Sequence, residues 1–152
     1  MLKKGAKSFY DWCIENKKES YLYLWDYDLN EKSPNDVSFS VGNKYYFKCE
    51  KGIHDSYLFS IRSITVDNSH GPKCPVCGSI YQWCIDNNRN DIIEAWDDER
   101  NEIDMKHTSK SSGKKAWFKF EHYSYFYPIS YIASMDNDPC NKYHNSLGYY
   151  IV

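Results

Sequence analysis

Apolar and polar positions along this chain follow two different periods. Phe9, Trp12 and Cys13 stand at i, i+3 and i+4, and Ile80, Trp83 and Cys84 repeat the arrangement 71 residues later. Each set predicts one buried face of a short helix. Ser8 and Ser79, immediately before, are the predicted N-caps. Cys13 and Cys84 then belong to the core, since a free cysteine behaves as a small hydrophobe. Residues 44–49 and 56–61 read as two strands, and the short segment between them makes a β-hairpin. Residues 116–120 and 125–132 take the same places later in the chain. Ser33-Pro34-Asn35-Asp36 supplies turn chemistry between helix and hairpin.

These patterns belong to an internal repeat. Residues 8–16 recur as residues 79–87 with six of nine positions identical. The register then runs on without a gap: Trp25-Asp26 falls on Trp96-Asp97, Asn30 on Asn101, Lys44 on Lys115 and Phe47-Lys48 on Phe118-Lys119. Residues 146–152 resemble the same opening and read as the start of a third copy, beginning with another short helix.

Composition adds an aromatic bias and a charge pattern. Fifteen tyrosines and five tryptophans bring the aromatic share to 18%, which lets a small core bury much area per residue. Formal net charge is −2, with eleven basic and ten acidic residues in 1–78 and eight and eleven in 79–152. Such a balance is a poor footprint for nucleic acid as a whole. Eight acids lie between Asp86 and Asp104, and Lys106, Lys110, Lys114, Lys115 and Lys119 follow. That run reads either as a solvated helix face and a basic loop or as an acidic surface for a basic partner. No apolar run is long enough to span a membrane, and the opening MLKKGAKSFYDW lacks an apolar signal segment. The expected location is therefore cytoplasmic, a reducing setting in which six cysteines favour metal over disulfides.

Four residues have metal-ligand spacing. Cys49 and His54 lie in the hairpin turn, and Cys74-Pro75-Val76-Cys77 precedes the second capped helix. Two short-spaced pairs arriving from different elements supply the tetrahedron that a structural zinc ion requires. His70 is an alternative to His54. In the second repeat the register puts Phe120 at the place of Cys49, Tyr125 at that of His54, Cys140 at that of Cys74 and Tyr143 at that of Cys77. One zinc is therefore expected, with His122, Cys140 and His144 the residues from which a second site could be rebuilt.

Tyr45-Tyr46-Phe47-Lys48-Cys49, Gly52-Ile53-His54, the Lys73–Ser79 stretch and the Trp25-Asp26…Asn30 signature resemble the treble-clef, zinc-ribbon-like repeat proteins of bacteria and their phages. The resemblance implies an α+β fold of two tandem treble-clef-like units, each a short helix plus a β-hairpin. Residues 1–78 form the first, zinc-bound unit, and residues 79–152 form the second, degenerate one.

No Gly-rich phosphate loop and no nucleophile with a paired base is present, and four ligands would close the zinc site, so a non-enzymatic binding protein is expected. The resemblance and small size imply a phage effector in a bacterial host cell, binding a host protein, with anti-CRISPR inhibition of a Cas9-type nuclease as the named expectation. Glu94, Asp97, Asp98, Glu99 and Glu102 are the candidate partner-binding residues. The alternative is a nucleic-acid-binding zinc finger that stacks bases on tyrosines.

Overall fold

The structure, a computed structural model, describes residues 2–67, 71–120, 123–133 and 150–151. Two compact units, Met1–Cys74 and Pro75–Val152, make up the chain.

The first unit opens with α1 (Phe9–Glu15). Ser8 caps it: the Oγ accepts the Asp11 N–H at 3.0 Å, and the Ser8 N–H donates to Asp11 Oδ2 at 3.1 Å. This reciprocal capping box satisfies amides that the helix itself cannot. Lys17 at φ 57 ends the helix, and the chain re-enters as α2 (Glu19–Leu24). A 3-10 turn, Pro34–Asp36, forms at the predicted turn and leads to β1 (Lys44–Phe47) and β2 (Tyr57–Ser60), an antiparallel hairpin with Phe47 opposite Tyr57. A short helix, α3 (Ile61–Thr65), follows β2 directly. The core is a triangle of rings. Phe9, Trp25 and Phe47 are fully buried, with centroids 6.0, 6.2 and 5.5 Å apart, and Phe47 meets both others edge-on. Edge-to-face packing places the positive rim of one ring on the negative face of another.

The second unit has the same order: α4 (Ile80–Asp86), α5 (Asn90–Ala95), a 3-10 turn, β3 (Lys115–Phe120), β4 (Tyr123–Pro128) and α6 (Ile129–Ala133). Ser79 caps α4 through the Gln82 N–H at 3.1 Å. Ile80, Cys84, Ile92, Trp96, Phe118 and Tyr125 are among its core residues.

One asparagine in each unit stands in for a neighbouring strand. The Asn30 side-chain amide donates to the Tyr46 carbonyl at 2.8 Å, and its Oδ1 accepts the Tyr46 N–H at 2.9 Å. Asn101 repeats both bonds with Trp117 at 2.9 and 2.7 Å. Just before it, Asp26 Oδ1 accepts the N–H groups of Asp28 and Leu29, each at 3.0 Å, and Asp97 Oδ1 accepts those of Glu99 and Arg100.

The structure departs from the sequence reading in three places. The second strand of each hairpin ends earlier than predicted, because Ile61 and Ile64, and likewise Ile129 and Ile132, turn inward at i, i+3 spacing in α3 and α6. Tyr125 pairs with Phe118 as Tyr57 pairs with Phe47, so its counterpart is Tyr57 rather than His54. Finally, Tyr150–Ile151 is not helical but forms a strand, β5, antiparallel to β4; residues 146–149 lie outside the described residues.

Two measurements test this frame. Asn30→Ala should lower unfolding free energy by about 1–3 kcal/mol, because it leaves the Tyr46 N–H of β1 without its acceptor and the Tyr46 carbonyl with the Asp26 N–H alone; the exposed Asn35→Ala should change it by less than about 0.5 kcal/mol in the same denaturant titration. Burial pushes the Cys13 and Cys84 thiols up to about 12 from an ordinary 9.0. Their stabilising effect is complete below pH 9 and is lost as pH rises from there toward 12, since the unfolded thiols ionise first. Replacing both with Ala should flatten that alkaline loss of stability.

Candidate metal centre

The first hairpin's ladder stops at Phe47 and Tyr57, leaving nine residues, 48–56, as its connection. That length is what makes room for the site. Cys49 is buried at the start of the connection, and the Gly52 N–H closes a turn on the Cys49 carbonyl at 3.0 Å. Gly52 has φ +68, a conformation that glycine adopts without strain. His54 follows, half-buried. The second pair arrives from the other side on a stretch entered through Gly71, whose φ is +84. A side chain there would collide with the Tyr21 ring, 2.5 Å from an added Cβ. After Cys77, Ser79 donates its hydroxyl to the Val76 carbonyl at 2.7 Å and then caps α4, so one residue fixes both the Cys-Pro-Val-Cys turn and the helix start.

Cys49, His54, Cys74 and Cys77 come together with all their ligand atoms within 4.8 Å of one another. His54 Nδ1 lies 3.5 Å from the Cys49 sulfur and 3.5 Å from that of Cys74. A zinc tetrahedron with Zn–S about 2.3 Å and Zn–N about 2.05 Å has an S···N edge of about 3.5 Å. The residues therefore fit zinc, with Nδ1 as the histidine donor. Three thiolates and a neutral imidazole leave a zinc site at net −1, and Lys48, Lys51 and Lys73 stand exposed beside the ligands to offset it. With these four residues as ligands all four positions of the tetrahedron would be taken, and the chemistry that a bound zinc would supply is a structural cross-link between hairpin and turn.

The second hairpin differs in its described residues. Its ladder runs on to Phe120 opposite Tyr123, and only two residues separate the strands. His70, His122, Cys140, Tyr143 and His144, the further candidates from the sequence, lie outside the described residues.

The acidic candidates separate. Glu94, Asp98, Glu99 and Glu102 are exposed. Asp97 is buried at 7% exposure, committed to the backbone amides of its own turn and to Arg100 at 3.7 Å, which in turn covers the Trp117 ring. It is a turn-forming residue and offers little to a partner. Glu50 and Tyr57, by contrast, carry no signal in the sequence. Glu50 Oε1 accepts the Cys74 N–H at 3.1 Å and the Tyr57 hydroxyl at 3.3 Å. Burial first, then the Glu50 carboxylate, raises the Tyr57 phenol above its ordinary value. No spacing rule flags these two; only the folded hairpin brings them to Cys74.

Residues 22–80 match a family described as "Probable Treble clef zinc finger domain". The match spans all four ligands, from α2 to the start of α4. No curated protein and no solved structure matches the chain significantly.

Elemental analysis of the purified chain should give one zinc per molecule, and cobalt substitution should give the visible bands of a tetrahedral three-thiolate site. Cys74→Ser should lose the metal and melt the first hairpin, because metal binding is folding energy here. A value of two zincs per chain would contradict the reading of the second hairpin.

Proposed function

We propose that the chain is a non-enzymatic binding protein in which a zinc-stapled treble clef is followed by a unit of the same plan that dispenses with metal. The observation that carries this reading is the completed ligand set: four donors leave the ion no position for substrate or water. The function then resides on outer surfaces. Glu94, Asp98, Glu99 and Glu102 are four exposed acids close together in the second unit's sequence, a charge pattern that suits a basic protein partner by steering and by excluding wrong ones. Neither the ligand set nor the matched family carries information about a phage origin or a Cas9-type target, so the proposal stops at a basic partner.

A second reading rests on the first unit. Tyr23 and Tyr27 are 82% and 59% exposed and line, with Tyr10, Ile14 and Lys48, a groove of about 550 Å³. Such a groove could stack single-stranded bases.

The two readings separate by charge. Lysine reversals at Glu94, Asp98, Glu99 and Glu102 together should abolish retention of a basic protein captured from bacterial lysate while leaving the zinc content at one. Capture of nucleic acid alone, lost steeply with salt and on Tyr23→Ala with Tyr27→Ala, would replace the first reading with the second.

A further inference from the structure

The metal site has a carboxylate next to it that electrostatics alone does not welcome. Three thiolates on zinc already leave a net negative charge, and Glu50, adjacent in sequence to Cys49, adds another. Its position has a geometric reason. One oxygen, Oε1, takes the backbone N–H of Cys74 at 3.1 Å and the hydroxyl of Tyr57 at 3.3 Å. Tyr57 opens β2 and is buried, so it is a fixed post; its ring lies edge-on to Phe59 with centroids 6.4 Å apart. Cys74 is 24 residues away from Glu50 in sequence and is buried. The stretch before it includes Pro72, which has no N–H to donate. The side chain of Glu50 thus reaches across the hairpin connection to the ligand pair that arrives from outside it. Its own backbone is bonded to Cys49. One residue therefore fixes the separation between a ligand of the first pair and a ligand of the second.

We infer that Glu50 is a positioning residue for the metal centre, a hydrogen-bonding clasp that sets Cys74 against Cys49 and Tyr57 and slows loss of the ion. The inference rests on the reading of the four-ligand cluster as a zinc site. It belongs with the partners outside the ligand set that orient metal ligands, whose removal typically costs about 10–100-fold in affinity.

Geometry and charge make opposite predictions here, and two variants that keep the side chain polar separate them. Glu50→Gln keeps the length and one acceptor oxygen but removes the charge. Glu50→Asp keeps the charge but shortens the reach by one methylene. A clasp requires the Asp variant to lose zinc to a coloured chelator about 10–100-fold faster than wild type, with cobalt bands altered in position or intensity. The Gln variant should stay within about 3-fold of wild type. Tyr57→Phe, which leaves the Cys74 bond in place, should fall between them.

If the carboxylate acts only through its charge, the Gln variant holds zinc more tightly and the Asp variant matches wild type, and the clasp is wrong. Equal zinc loss from all three variants and wild type also overturns it. The stoichiometry of the wild-type protein is read in the same experiment. A wild-type chain without zinc would overturn the metal reading and the clasp together, whereas one zinc with indifferent variants would overturn the clasp alone.

Discussion

An asparagine side chain that occupies both hydrogen-bonding groups of one strand residue is the constraint from which each unit is built. The helices are five to seven residues long and β1 has four residues, below the length at which such elements persist alone in water. They need a tertiary partner that is present at once. Asn30 and Asn101 give it by acting as a third strand for Tyr46 and Trp117. The turns organised by Asp26 and Asp97 aim these amides. Trp25 and Trp96 then bridge to Phe47 and Phe118 and bring in the aromatic core.

On that frame the two units diverge at the hairpin end. In the first, the ladder ends early and a nine-residue connection carries Cys49 and His54 toward Cys74 and Cys77. That connection is tied at its ends by the Lys48 N–H to the Leu24 carbonyl and the Ser56 hydroxyl to Asp26, and within by the turn at Gly52 and the bonds to Glu50; a bound ion would add a cross-link between its ligands. In the second, the strands continue to Phe120 and Tyr123, so the backbone ladder runs further along the hairpin than in the first.

What could be read from sequence follows the same division. The helix starts were legible because a serine cap and an i, i+3, i+4 apolar face coincide. The ligands were legible because two close pairs of Cys and His donors on separate elements have the spacing that a tetrahedral ion selects. The ends of the second strands were not. Ile61 and Ile64 suit a strand or a helix equally well, and only the depth of the core decides between them. Counting at a fixed offset also hid the shorter second hairpin, which misplaced Tyr125. Asp97 looked like a surface acid because composition does not tell a solvated carboxylate from one that is buried against its own turn. The repetition of Asn30 as Asn101 was visible, but the reason for it lies in a contact sixteen residues on.

The contrast between a nine-residue and a two-residue connection has a consequence for the life of the chain in a cell. If the first unit's zinc is its only metal, a half built on a continuous ladder would be indifferent to metal supply, while a half that depends on captured zinc would mature only as fast as the ion is delivered. Freshly made chains would then pass through a stage in which one portion is finished and the other waits. Scarcity of zinc would prolong that stage, and exposure to proteases with it, without touching the finished portion.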